Sequence, residues 1–151
     1  MSVLTCIYLL VIIYLLFVRT SRGTGGTYAD YIRTSVNLTP FSTVSTYIER
    51  LSAGSINKTT VIYNIIGNIF ILLPLGFAAA YFISAARKFY IWLPLMLGVN
   101  VTIEAIQLLS MRGSFDIDDI ILNMTGAIAG YFIWVLLKRF LLKPADAQNR
   151  P

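Results

Sequence analysis

Few side chains in this chain can do acid–base or metal chemistry. There is no histidine, so Ser-His-Asp and Cys-His catalysis and imidazole metal ligation are excluded. A single cysteine, Cys6, excludes an internal disulfide and a thiolate zinc or iron–sulfur site. What remains is carboxylate chemistry. Glu104, Asp116 and Asp119 are the candidate catalytic and metal-ligating residues. They can act as oxygen ligands to a divalent cation, with Asn68, Gln107 and Asn123 completing the shell. Alternatively, Glu104 can act as a general acid. No nucleophile pattern, glycine-rich phosphate loop or second cation site accompanies them, and no cofactor beyond a divalent cation is expected.

The spacing of these residues and of the amides around them is helical. Asn64 and Asn68 are four apart, with Gly67 beside them. Asn100, Glu104 and Gln107 fall within a sector of about 60° at 100° per residue. If a helix already covers Asp116, then Asp116, Asp119, Asn123, Gly126 and Gly130 lie within roughly 80° of one another, and Asp118 points away from that stripe.

The elements that must position these faces are apolar. Hydrophobic residues make up 57% of the 151 residues and charged ones 13%, about half the charge of a soluble domain. Four runs approach the roughly 20 residues a spanning helix needs: about 2–18, 61–86, 89–110 and 120–142. The expected fold is therefore all-α. It is a polytopic membrane protein with four transmembrane helices, one long loop between spans 1 and 2, and a single domain over residues 1–151. The first run lacks a basic start and a cleavage site, and reads as a retained span. Cys6 inside it reads as a buried apolar thiol. Pro74 and Gly76 are expected to kink the second run, as membrane helices tolerate. The second and third runs form a hairpin at Arg87-Lys88. In the long loop, 20–27 is expected to be flexible, Asn37-Leu38-Thr39-Pro40-Phe41 extended or turned, and 45–51 a short amphipathic helix at the membrane surface, with Tyr47, Ile48 and Leu51 toward lipid. The tail 144–151 is expected to be disordered.

With four crossings, the long loop and the 111–119 loop lie on the same side. The asparagines of the second span, Glu104 and Gln107 of the third, and the aspartates of the fourth then converge on one surface. A charge inside a span usually faces a bundle interior or a watery cavity, so the reading is one polar pocket opening to that surface. Purely structural roles compete. Asp116 and Asp119 can cap a helix. Asn64 and Asn68 can be interhelical hydrogen-bond glue, and Gly126-x-x-x-Gly130 is a packing motif, within the chain before between copies. Arg112 can be an interfacial anchor. A structural role explains Glu104 least. It lies about 9 Å below its helix end at 1.5 Å per residue, where it must carry its proton or find a partner such as Arg112.

Asn37-Leu-Thr-Pro-Phe41, Asn64-x3-Asn68-Ile-Phe-Ile-Leu-Leu-Pro74-Leu-Gly76, Glu104-Ala-Ile-Gln107, Arg112-Gly-Ser-Phe-Asp116-Ile-Asp-Asp119 and Asn123-Met-Thr-Gly126 together resemble the VanZ-like family of small four-span bacterial membrane proteins. The resemblance covers about residues 37–131. It implies an association with resistance to the lipoglycopeptide teicoplanin rather than vancomycin, and it supplies no reaction. The motif positions it carries over are Asn68, Pro74, Gly76, Glu104, Gln107, Arg112, Asp116, Asp119, Asn123 and Gly126, with Asn64 weighted less.

Lysine and arginine counts do not orient the chain. With the N-terminus inside, six (Arg87, Lys88, Lys138, Arg139, Lys143, Arg150) fall inside and six (Arg19, Arg22, Arg33, Arg50, Lys58, Arg112) outside. The compact Arg87-Lys88 turn and the basic C-terminal end favour N-in, which puts the pocket on the outer face of the bacterial cytoplasmic membrane. The net charge of +5 serves topology and lipid headgroups, not nucleic acid. The expected function is a non-catalytic binder of a lipid-linked ligand, either a lipoglycopeptide or a cell-wall precursor. The alternative is a membrane enzyme acting on a lipid-linked or surface glycopolymer. A flippase ranks last, for want of an inverted repeat. The oligomeric state stays open.

Overall fold

The computed structural model describes Tyr8, Leu10, Tyr14 and residues 26–141. The expected tail 144–151 lies outside the described residues, as does nearly all of the first run. Of that run, Tyr8 and Leu10 are helical, and the Tyr8 hydroxyl donates to the Ile71 carbonyl at 2.7 Å, against the second apolar helix.

The order is α1 (Tyr28–Thr34), β1 (Val36–Asn37), α2 (Ser42–Ser52), α3 (Lys58–Phe82), a 3-10 turn (Ala85–Arg87), α4 (Phe89–Leu109), β2 (Phe115–Asp116) and α5 (Ile117–Leu141). The fold is all-α apart from one two-residue parallel pairing, Val36 with Phe115 and Asn37 with Asp116. Three helices, α3, α4 and α5, are long and apolar enough to cross a membrane. Large side chains on them, such as Tyr63, Phe70, Phe132 and Phe140, stay exposed, which suits lipid and not water.

Local chemistry sets the element ends. The α1 helix, which hydrophobic periodicity does not announce, starts at a reciprocal cap. Thr27 Oγ1 accepts from the Asp30 N–H, and Asp30 Oδ2 accepts from the Thr27 N–H at 3.1 Å and hydroxyl at 2.7 Å. These bonds favour the ionised form and hold the Asp30 carboxyl below its ordinary range. The α3 helix starts three residues earlier than hydropathy predicts, because Asn57 Oδ1 caps it by accepting from the Thr59 N–H at 2.9 Å. It runs through Pro74 and ends at Phe82, four residues early, where Ile83 turns extended. The α4 helix closes through Met111, which adopts the left-handed region (φ 57°) so that the Arg112 and Gly113 N–H groups both reach the Gln107 carbonyl.

Neighbours in sequence are not the closest in space. Despite the expected hairpin, α3 packs chiefly on α5, with α4 laid across the pair. Glycines permit this. A Cβ on Gly126 would fall on the Ile69 carbonyl oxygen, one on Gly130 on that of Leu73, and one on Gly76 against the Ala127 backbone. The glycine motif thus serves packing within the chain. The end of the bundle near the 3-10 turn is aromatic. Buried Trp92 donates its Nε1–H to the Gly76 carbonyl at 3.0 Å and lies 5.0 Å from the Tyr131 ring, while the Tyr131 hydroxyl holds the Arg87 carbonyl at 2.8 Å. Polar chemistry is left to the opposite end.

Candidate functional site

At that opposite end the start of α3, the end of α4 and the start of α5 meet. Helical spacing turns Asn100, Glu104 and Gln107 of α4 inward, and all three are buried. From α5, Asn123 faces them: Asn123 Nδ2 donates to Asn100 Oδ1 at 3.1 Å, and Asn100 Nδ2 donates to the Ile120 carbonyl at 3.0 Å. From α3, Asn68 Nδ2 donates to Asp119 Oδ1. Asp119 and Asp116 lie near enough to Glu104 for their charges to bear on it. Asn68, Asn100, Glu104, Gln107, Asp119 and Asn123 from three helices thus gather as a polar layer at this end, with Asp116 of β2 beside them.

Two of the sequence-marked residues are not part of it. Asn64 is exposed, and its amide donates to the Thr60 carbonyl of its own helix at 2.7 Å. Arg112 is exposed as well. It does not partner Glu104: no ion pair joins them among the described residues, and Glu104 Oε2 has no hydrogen-bond partner. Pro74 and Gly76 lie further along α3, toward the aromatic end.

A cap that the sequence did not announce covers the layer. The α5 helix begins at Ile117, not before Asp116, so Asp116 sits on β2 and is aimed by the strand pairing with Asn37. Its carboxylate accepts from Thr43 Oγ1 at 2.5 Å, Asn37 Nδ2 at 3.3 Å and the Asp118 N–H at 2.9 Å. Asp118 does point away from the α5 stripe, as expected, but not to solvent. It is 2% exposed and accepts from the N–H groups of Phe41, Thr43 at 2.9 Å and Val44 at 3.1 Å. Phe41, the residue before α2, is in the left-handed region and offers no side-chain cap, so Asp118 caps α2 from another element. The Ser35 carbonyl accepts from the Phe115 N–H at 2.8 Å, and the hydroxyls of Tyr31 and Tyr28 reach the carbonyls of Gly113 and Leu109. The stitching is almost wholly polar, and α2 buries no residue. Sequence reasoning missed Tyr31, Asn37, Thr43 and Asp118. For Asn37 and Asp118 the signal was present, inside the two motif blocks that flank the cap.

A family model described as VanZ/LLP1 matches residues 5–138. The chain belongs to the VanZ/LLP1 family. No curated protein and no solved structure matches it. With three membrane-length apolar helices, it is a VanZ-like membrane protein. The blocks that carried the resemblance map onto this end: those of Asn68, Glu104 and Asn123 supply the buried layer, that of Asn37 the cap, and the one from Arg112 to Asp119 contributes to both.

The electrostatics of the layer are one-sided. Asp119 and Asp116 are the charges that bear on Glu104, and every lysine and arginine among the described residues is exposed. The carboxylates do not gather as a metal cage: among the described residues, no group of three His, Cys, Asp or Glu side chains is placed to hold a metal ion. The physical reason is that Asp116 is committed to Asn37, Thr43 and the Asp118 N–H, and Asp119 to Asn68. Among the buried carboxylate oxygens of the described residues, Glu104 Oε2 is the one without a hydrogen-bond partner.

Proposed function

We propose that this VanZ-like protein binds the polar group of a lipid-linked ligand in the capped layer, at the outer surface of the bacterial cytoplasmic membrane, and so contributes low-level resistance to teicoplanin-type lipoglycopeptides. In this reading residues 1–151 form one domain with the N-terminus inside. Residues 2–18 supply a fourth span ahead of α3, α4 and α5. Asn68, Asn100, Glu104, Gln107, Asp116, Asp119 and Asn123 line the site, and Asn64 and Arg112 stand at its rim.

The observation that carries the reading is Glu104. It is 3% exposed, and its Oε2 has no partner. A buried carboxylate oxygen left without a partner calls for an occupant. The family supports the antibiotic connection. Membrane burial gives a physical reason for drug selectivity, since an acylated glycopeptide adds chain methylenes worth about 0.8 kcal/mol each when buried, and vancomycin has none.

The test is expression in a susceptible Gram-positive host. Wild type raises the inhibitory concentration of teicoplanin and leaves that of vancomycin unchanged, and Glu104→Gln at equal membrane abundance loses the teicoplanin effect. No change with either drug for the wild type removes the resistance reading.

A further inference from the structure

The amides of the layer can be oriented by elimination. The Ile120 carbonyl can only accept, so Asn100 must turn its Nδ2 toward it, at 3.0 Å. Asn100 Oδ1 is then left to accept, and Asn123 must present its Nδ2, at 3.1 Å. The other end of the Asn123 amide, Oδ1, is buried with no partner. Neither amide can be flipped without setting like against like. Glu104, one helical turn beyond Asn100 on the same face of α4, also ends in a buried oxygen without a partner. Both residues are 3% exposed.

Native proteins leave few such atoms, and each calls for an explanation. These two ask for the same one. With a cationic partner Glu104 is ionised, and both are then acceptors, set on facing stripes of α4 and α5. The charges bearing on Glu104 are negative, and every lysine and arginine among the described residues is exposed. A phosphate or carboxylate would bring more acceptors and more negative charge. A group with several N–H donors and a positive charge complements both oxygens and the field.

We propose that the layer between Glu104 and Asn123 is a binding site for a primary ammonium group. The inference rests on the ligand-pocket reading above and narrows it: the part of the ligand that enters is a cationic amine, and a pyrophosphate or phosphate is excluded. The amine can come from a small soluble ion or from a lipid headgroup.

The protein in phosphatidylglycerol nanodiscs is titrated with methylammonium chloride, and separately with sodium phosphate at matched ionic strength, while its thermal unfolding is followed. A parallel set of nanodiscs replaces part of the phosphatidylglycerol with phosphatidylethanolamine. The expected result is saturable stabilisation by methylammonium or by phosphatidylethanolamine, none by phosphate, and an apparent affinity at least about tenfold weaker in Glu104→Gln, as loss of a charge-assisted hydrogen bond implies. Stabilisation by the soluble ion alone assigns the site to a free amine, and by the lipid alone to a headgroup. Asn123→Ala, which removes the unpartnered Oδ1 together with the donor to Asn100, weakens the response and serves as the second variant should Glu104→Gln not fold. Absence of both amine responses, an equal response from phosphate, or an unchanged response in both variants overturns the proposal. If methylammonium binds while teicoplanin does not, the amine site stands and the antibiotic reading falls.

Discussion

Asp118→Ala frees the cap from the bundle while the three long helices stay folded. One carboxylate accepts the N–H groups of Phe41, Thr43 and Val44, and it is 2% exposed. Hydrogen bonds to a charged acceptor contribute about 1.5–3 kcal/mol each, and removing the acceptor leaves donors unsatisfied. The three are not additive, because α2 leaves as a unit, so the expected local loss is about 3–5 kcal/mol. No apolar core compensates, since α2 has no buried residue. Segments held by few apolar contacts open at low free energy. The readout is hydrogen exchange. Protection of the Phe41, Thr43 and Val44 amides falls by at least about a hundredfold, at 1.36 kcal/mol per factor of ten, while amides in the middle of α5 are unaffected. Asp118→Asn, which keeps one acceptor oxygen, falls between. Unchanged protection in Asp118→Ala means that the cap is held by something other than this carboxylate.

Gly126→Ala has the largest expected effect on the bundle itself. Its new methyl group would fall on the Ile69 carbonyl oxygen, with the Ile69 carbonyl carbon 2.7 Å away. These are backbone atoms of a helix and cannot swing aside as a side-chain tip can. The two helices must therefore separate, and the Gly130 contact with Leu73 and the Gly76 contact with Ala127 loosen with them. Overpacking a rigid contact costs typically about 1–3 kcal/mol and at times more, and here it acts on the main helix pair. The control is Gly98→Ala on α4, where an added Cβ meets nothing within 4 Å. That change is expected to be neutral, or stabilising by up to about 1 kcal/mol through helix propensity. Thermal unfolding in detergent or nanodiscs separates the two: Gly126→Ala lowers the midpoint sharply and Gly98→Ala does not. Equal midpoints contradict the close approach of α3 and α5.

The long apolar helices were legible because hydropathy and helical spacing both act over many residues. The buried face Asn100, Glu104 and Gln107 could be read from three- and four-residue spacing alone. Asn64 shows where that logic stops. It shares a face with Asn68 only to within one turn, and at the very start of α3 that face lies outside the bundle, where its own Thr60 carbonyl satisfies it. The cap was illegible for a different reason. It is held by contacts between residues more than seventy positions apart, such as Asn37 with Asp116, and by a carboxylate whose value lies in the backbone it meets. Asp118 looks expendable on a helical wheel because it leaves the stripe, yet leaving the stripe is what brings it to α2. The short α1 helix carries Asp rather than Glu at the third position of its capping box, and seven residues are too few for periodicity to be read.

The central claim is that the capped layer around Glu104 receives a ligand anchored in the membrane. Its most direct test is equilibrium binding of teicoplanin and vancomycin to the purified protein in nanodiscs, for wild type and Glu104→Gln, with empty nanodiscs subtracted. The account predicts saturable binding of teicoplanin, weaker by about tenfold or more in the variant, the equivalent of about 1.4 kcal/mol, and much weaker binding of vancomycin. Teicoplanin binding of equal strength in wild type and Glu104→Gln would contradict it.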